Sequence, residues 1–304
     1  MHLVTGGFGF IGNELVRQLK GEGDVAILDN RTRMAPRIED LANVPSYQLD
    51  LSDHDPVRQL FAELKPKVVY HLAAMHYIPE CNQAPERTLR VNVESTLGIL
   101  QSARLAGVEH VLVASSGAVY ADHPKPLAES SEVAPVDIYG WSKFFVEQLC
   151  QWYAETGGPR ITVLRLFNNY GPRETNAHII PEIIGQLRGG HTLKLGNIKP
   201  RRDYIHTADT AKALRLLGRR LPESISTVNV GSGCDASVEE LVGLMGELLG
   251  QEIRVEIDAA RFRKADKLIQ VADIRRLEAL TGWRPEIGLR EGLADLLRFE
   301  GLLK

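Results

Sequence analysis

His2-Leu3-Val4-Thr5-Gly6-Gly7-Phe8-Gly9-Phe10-Ile11-Gly12 opens the chain almost at its first residue, and the organisation of the remainder follows from it. The first four positions read as a short apolar strand, and beyond the glycines Ile11, Leu15 and Leu19 share one face of a helix. A strand, a glycine turn and a helix in that order aim bare backbone N–H groups and a helix N-terminus at one point, which suits a diphosphate. A Cβ at Gly6 or Gly9 would hold that ligand off, and Gly12 lets the helix pack close to the strand. The next apolar strand, Val25-Ala26-Ile27-Leu28, ends in Asp29. A carboxylate there accepts hydrogen bonds from an adenosine ribose 2′-OH and repels a 2′-phosphate, so the expected cofactor is NAD rather than NADP. Arg31 and Arg33 follow in a polar loop and read as solvated surface charge.

A chain of 304 residues can bury a substantial core and suits one large α/β unit with a smaller lobe. The formal net charge of -3 comes from interspersed signs, so neither nucleic acid nor a membrane surface is an expected partner. Cys81, Cys150 and Cys234 are odd in number, widely spaced and outside any C-x-x-C or histidine cluster. That pattern indicates neither a disulfide framework nor a metal site, and it suits a reducing cytosol. With a strand beginning at residue 2 there is no room for a signal peptide, and no apolar run approaches transmembrane length, so the expected location is cytoplasmic.

After Asp29, a polar helix candidate and the strand Tyr47-Gln48-Leu49 lead to Asp50-Leu51-Ser52-Asp53. Ser52 with Asp55 matches a capping box, Pro56 falls in the first turn, and Val57, Leu60, Phe61 and Leu64 turn inward. Val68 to Ala74 reads as a buried strand whose small terminal residues leave space for a ligand at the sheet edge. A long helix spans about Pro85 to Ala106, carries Asn92 and is stopped by Gly107; the strand Val111 to Ala114 then ends in Ser115-Ser116-Gly117-Ala118-Val119-Tyr120. A second long helix runs from near Tyr139 to about Thr156, followed by the strand Ile161 to Leu166. Such alternation predicts a doubly wound parallel sheet, Rossmann-like, with a smaller α/β substrate-binding lobe. The expected boundaries are 1–167 for the NAD-binding domain, with a returning segment near 203–230, and 168–202 with 231–304 for the lobe, where Ser237 caps a helix.

Tyr139-Gly140-Trp141-Ser142-Lys143 puts a phenol and an ammonium on one helix face. A nearby cation favours phenolate, which makes tyrosine a usable general base. The spacing also occurs in plain surface pairs; what distinguishes this one is Ser116 at the carboxyl end of the fifth strand, where open α/β sheets place their ligands.

At these residues the chain resembles the extended short-chain dehydrogenases/reductases, the nucleotide-sugar epimerase and dehydratase group. The marks span nearly the whole chain: Thr5 to Gly12, Asp29, Asp50-Leu51, His71-Leu72-Ala73-Ala74, Asn92-Val93, Ser115-Ser116, Tyr139-x-x-x-Lys143, Arg165-Leu166-Phe167-Asn168, Arg202-Asp203-Tyr204 and Arg263-x-x-Asp266. The resemblance implies that Ser116, Tyr139 and Lys143 are the catalytic set and that Lys143 also holds the nicotinamide ribose. Gly6, Gly9, Phe10, Ile11, Gly12, Asp29, Asn30, Asp50, Leu51, Leu72, Ala73 and Ala74 are the remaining expected cofactor contacts, Asp50 and Leu51 flanking the adenine. Asn168, Arg202 and Arg263 are expected to grip a nucleoside diphosphate, in keeping with the fit of guanidinium to phosphate, and His76 to line the sugar pocket. Asn92 and His71 are assigned structural roles. Ala121 replaces a glycine usual in this family, and Pro124-Lys125-Pro126 stiffens the loop after it.

The expected reaction is C4 epimerisation of a nucleotide sugar with NAD. Related 4,6-dehydratases carry an acid and a base directly after the hydroxyl residue, whereas this chain has Gly117 and Ala118, which transfer no proton. The alternatives are an NADH-dependent 4-keto-sugar reductase and a non-catalytic NAD-binding scaffold. Leu89, Leu97, Leu100, Phe144, Phe145 and Leu149 give the two long helices more apolar surface than one face needs, so a homodimer through a four-helix contact is expected.

Overall fold

The computed structural model describes residues 1–262 and 267–304. In its first part, strands β1 (His2–Thr5), β2 (Val25–Asp29), β3 (Ser46–Gln48), β4 (Val68–His71), β5 (His110–Ser116) and β6 (Arg160–Leu166) alternate with helices. These are α1 (Phe10–Lys20), α2 (His54–Leu64), α3 (Ile78–Gln83), α4 (Pro85–Leu89), α5 (Ser95–Ala106) and α6 (Ile138–Glu155). Then come β7 (Asn168–Tyr170), α7 (Ile179–Leu187), β8 (Thr192–Leu195), β9 (Arg201–His206), α8 (Thr207–Gly218) and β10 (Ile225–Val230). The chain closes with β11 (Asp235–Ser237), α9 (Val238–Leu249), β12 (Arg254–Ile257), β13 (Ile269–Gln270), α10 (Arg275–Thr281) and α11 (Leu289–Phe299).

Successive residues of a strand face opposite ways, and here both faces are apolar. Leu3, Ala26, Leu28, Val69 and Val111 pack on one side with α2, α5 and α6. Val4, Ile27, Leu112, Leu164 and Val228 pack on the other with α1, α8 and α10. The result is a 7-stranded parallel sheet in the order β10-β6-β5-β4-β1-β2-β3, a Rossmann-like α/β fold. Strand order reverses between β1 and β4, so the carboxyl ends of β1, β4 and β5 open onto a common crevice. A second sheet of β11, β9 and β13, with β7 on β9, and the pair β12-β8 frame a separate core of Ile183, Leu193, Leu241, Met245 and Leu293. The capping box at Ser237 is formed, with Glu240 answering the cap. Among the described residues no helix is long and apolar enough to cross a membrane.

Several local expectations are corrected. The polar helix candidate after Asp29 is only the short turn Glu39–Leu41, because Arg31 and Arg37 adopt positive φ and Pro36 lies between them. The cap position of α2 is Asp53, without a side-chain cap bond, since the Ser52 hydroxyl donates instead to Asp50. Strand β4 ends at His71, leaving Leu72 to Ala74 as coil along the crevice. The helix from Pro85 to Ala106 contains a π-helical turn at Arg90–Glu94, which carries Asn92. Leu100 is fully buried on the sheet and adds nothing to an outer face; the exposed aromatics of α6 are Trp141, Phe145 and Trp152.

Candidate active site

A cavity of about 900 Å³ opens at the switch point. Its floor is the glycine turn. Gly6 has φ +68, and a Cβ there would lie 2.9 Å from the backbone of Ala73, while one at Gly12 would run into the Gly6 carbonyl oxygen. Gly9 caps α1 in an extended conformation with no side-chain cap bond, so the first N–H groups of the helix face the cavity. At the end of β2, Asp29 accepts from Phe8 N at 3.1 Å and from Arg31 N at 2.7 Å. Burial pushes its carboxyl up and these N–H groups pull it back. A cradle with no room for side chains, a helix terminus and a carboxylate beyond it fit an NAD molecule.

Every described residue assigned to cofactor or substrate from the sequence, from Gly6 to Arg202, lines this cavity. Arg263 lies outside the described residues. Ser116, the last residue of β5, accepts from Ala118 N at 3.1 Å, and its hydroxyl lies near enough to the Tyr139 phenol to lower it. Tyr139 stands in the first turn of α6, whose start is fixed by Asp137, a cap the sequence reading missed, accepting from Gly140 N at 2.8 Å. Lys143, one turn on, donates to Ala114 O at 2.8 Å and holds its Nζ 6.0 Å from the centroid of the Tyr139 ring.

Burial pushes the Tyr139 phenol up to about 12, with the Ser116 hydroxyl pulling the other way, and pushes Lys143 down to about 8. The spacing of the two groups therefore does not by itself make a phenolate at neutral pH, which corrects the simplest reading of the motif. A positive charge entering the cavity beside the phenol adds the missing stabilisation.

A second set of groups holds these in place. Asn92 accepts from Met75 N at 2.8 Å and donates to Met75 O and to Ser142 Oγ, each at 2.9 Å. Ser142 in turn donates to Tyr139 O at 2.7 Å. Asn92 thus ties the coil after β4 to the turn bearing the phenol. His71 is enclosed, and burial holds it neutral at about 3. Thr96 spends its hydroxyl on Asn92 O, so His71 Nε2 donates to Thr96 and its Nδ1 accepts from Thr5. Below Ser116, Ser115 donates to Glu147 at 2.5 Å, and Arg165 donates to both oxygens of Glu147 at 2.9 and 2.7 Å.

On the lobe side, Asn168 opens β7 and pairs with Tyr204 of β9, next but one to Arg202. His76 accepts from Asn176 at 3.1 Å and stacks on His178 at 5.6 Å; burial first, then His178, push it down to about 3. Arg33 is not merely solvated, since it donates to Asn176 at 2.5 Å and pairs with Glu80 at 3.1 Å. Glu174, pushed up to about 7 by burial, His178, Lys267 and Gln270 also line the cavity. None of these four stands in a local motif, so nothing in the sequence marks them. Ala121 takes an ordinary backbone conformation and donates to Glu132 O at 2.9 Å, so the missing glycine changes nothing there.

The profile of the NAD dependent epimerase/dehydratase family matches residues 2–231. The GDP-6-deoxy-D-mannose reductase of Pseudomonas aeruginosa is 33% identical over 305 residues, 97% of this chain and 95% of that protein. The UDP-glucose 4-epimerase of Mycolicibacterium smegmatis is 30% identical over 98% of this chain and 97% of its own. The crystal structure of the UDP-glucose 4-epimerase of Thermus thermophilus in complex with NAD superposes with a TM-score of 0.90 at 30% identity, over 99% of this chain and 98% of that one.

Proposed function

The chain belongs to the NAD dependent epimerase/dehydratase family, and from that membership we propose that it catalyses C4 epimerisation of a nucleotide-diphosphate sugar through a transient 4-keto intermediate. The observation that carries this reading is the content of the turn after Ser116. Ser116, Tyr139 and Lys143 meet in the cavity, and the next residues, Gly117 and Ala118, hold no proton to give or take. Oxidation and re-reduction at one carbon need only the three; eliminating water needs a further acid and base.

Bound NAD supplies a place for the C4 hydride to go and to return from. Tyr139 as phenolate takes the proton of the 4-hydroxyl while Ser116 donates a hydrogen bond to the same oxygen. As the 4-keto group forms, that hydrogen bond steadies the carbonyl oxygen. Lys143 keeps positive charge near the phenolate and is itself oriented by Ala114 O. With the diphosphate anchored at Arg202, and at Arg263 as assigned from the sequence, the sugar is free to turn and present its other face. Tyr139 then returns the proton to the new hydroxyl.

A second reading, reduction of a 4-keto sugar, is favoured by the 33% identity to the GDP-6-deoxy-D-mannose reductase and uses the same three residues. One experiment separates them. The purified protein is incubated without added cofactor with UDP-, dTDP- and GDP-sugars, and C4 configuration is followed by NMR. Inversion at C4 is the expected result. Conversion only when reduced cofactor is supplied assigns the reductase, a 4-keto-6-deoxy product assigns a dehydratase, and bound NAD with no turnover assigns a scaffold.

The assembly proposed is a homodimer through α5 and α6. Trp141, Phe145 and Trp152 share one exposed face of α6, with Leu105 exposed at the end of α5. Sedimentation at micromolar concentration is expected to give a dimer; a monomer there overturns the proposal. The three cysteines are unpaired, which supports a reducing cytoplasm as the working compartment.

A further inference from the structure

The turn that carries Ser116 is held from the lobe as well as from the sheet. Gln270 Nε2 donates to Gly117 O at 2.5 Å, and Lys267 Nζ donates to Tyr120 O and, at 3.3 Å, to Ala118 O. Two neighbouring side chains thus take the carbonyls of Gly117, Ala118 and Tyr120. Gly117 makes the approach possible, because a Cβ there would press on the Phe167 ring at 3.3 Å and on Gln270 Nε2 at 3.4 Å. Gln270 also belongs to a strand, three residues after Lys267. Ile269 and Gln270 of β13 pair in parallel with Arg201 and Arg202 of β9. One short piece of chain therefore touches the strand of the diphosphate arginine through its backbone and the Ser116 turn through its side chains.

The turn does not depend on these donors to exist. Ala118 N donates to Ser116 Oγ at 3.1 Å, Tyr120 N to Gly117 O at 3.3 Å and Ala134 N to Val119 O at 3.0 Å. What Lys267 and Gln270 add is its position relative to the lobe. Lys267 lines the cavity, and burial pulls its ammonium below the ordinary lysine range while Asp137 and Asp122 draw it back up. An ammonium removed from water gains from charge-assisted bonds to fixed carbonyls, so it prefers one geometry of the turn over others.

We propose that Lys267 and Gln270 are positioning residues that register Ser116 against the diphosphate end of the substrate site, so that anchoring a nucleoside diphosphate at Arg202 tightens the turn from which Ser116 acts. This rests on reading the cavity as a nucleotide-sugar site. Misplacement of a catalytic group by about 1 Å can cost about 10²-fold in rate, so even partial loss of the register is measurable.

The test follows amide hydrogen exchange over Gly117 to Tyr120 by mass spectrometry in the full chain with NAD, with and without saturating UDP, dTDP or GDP. Nucleotide is expected to slow exchange in the unmodified protein and in Lys267→Arg, and not in the double variant Lys267→Met, Gln270→Leu. With a turned-over sugar nucleotide, the double variant is expected to lose about tenfold or more in kcat at nearly unchanged KM and thermal midpoint, and Lys267→Arg to retain kcat better than Lys267→Met. Equal protection in the double variant overturns the proposal, as does an unchanged kcat or a kcat that falls only in step with thermal stability. If the unmodified chain binds none of the three nucleotides, the site reading itself fails; binding without protection sinks the clamp alone.

Discussion

Tyr139→Phe is expected to leave NAD affinity almost unchanged and to lower turnover by roughly 10²-fold or more. The substitution deletes one oxygen at the end of a ring carried on the first turn of α6, and Asp137 still caps that turn. What is lost is the proposed proton acceptor, the oxygen that Ser116 influences. Burial holds the phenol up to about 12, against an ordinary 10.0, so without ligand almost none is ionised near neutrality. The fraction able to act as base grows as pH rises, and kcat/KM is expected to climb with it. Lys143, held down at about 8 by burial, gives up its charge above that pH, so the climb bends over on the alkaline side. An oxidised nicotinamide would bring positive charge to the cavity and pull the raised phenol back down. Phenolate absorbance, as the difference between the unmodified protein and Tyr139→Phe, is expected to appear at lower pH with saturating NAD than without. Unchanged turnover in the Phe variant removes Tyr139 from the role of base; loss of NAD binding together with turnover marks a folding defect.

The parts legible in the sequence are those written within a few residues of one another. Apolar runs such as Val25 to Leu28 and Val111 to Ala114 give buried parallel strands, and the glycines from Gly6 to Gly12 give the turn that both ends β1 and starts α1. Gly107 stops α5 with φ 70, as a left-handed helix end requires. The parts that stayed hidden join distant positions. Arg33 reads as a solvated charge until its partner Asn176, 143 positions away, comes into reach. Lys267 and Gln270 meet the Ser116 turn across separations of 147 to 153 positions. Boundaries failed for a different reason. Ser52 and Asp53 are equally good caps by residue type, and the choice fell to the competing bond from Ser52 to Asp50. Likewise Leu100 and Phe145 look alike as apolar helix residues, yet the direction of each to sheet or solvent is set by how α5 and α6 lie on the sheet, which spacing alone does not state.

Glu147→Ala is expected to cost about 3–5 kcal/mol of folding stability, the usual consequence of stripping one partner from a buried ion pair. Side-chain exposure is 7% for Arg165 and 8% for Glu147, so water cannot replace the lost carboxylate. Arg165 would keep its bond to Glu129 O at 3.0 Å and its contact over the Tyr120 ring, but the two donors aimed at Glu147 would be left unmet. Ser115 would lose its acceptor as well, one residue before Ser116. Through Ser115 the pair therefore joins α6, β5 and β6 beside the proposed catalytic groups, and its loss is expected to reach activity only through that support. A double replacement separates the unpaired charge from the packing. Replacing both members, Glu147→Leu with Arg165→Met, removes the unpaired charge and is expected to restore much of the stability lost by Glu147→Ala, because two apolar side chains need no partner. Chemical denaturation of the single variant Glu147→Ala and of the double variant measures it. A single variant within about 1 kcal/mol of the unmodified protein means that the guanidinium finds water or another acceptor, and the pair is then not what holds Ser115 and Arg165 together.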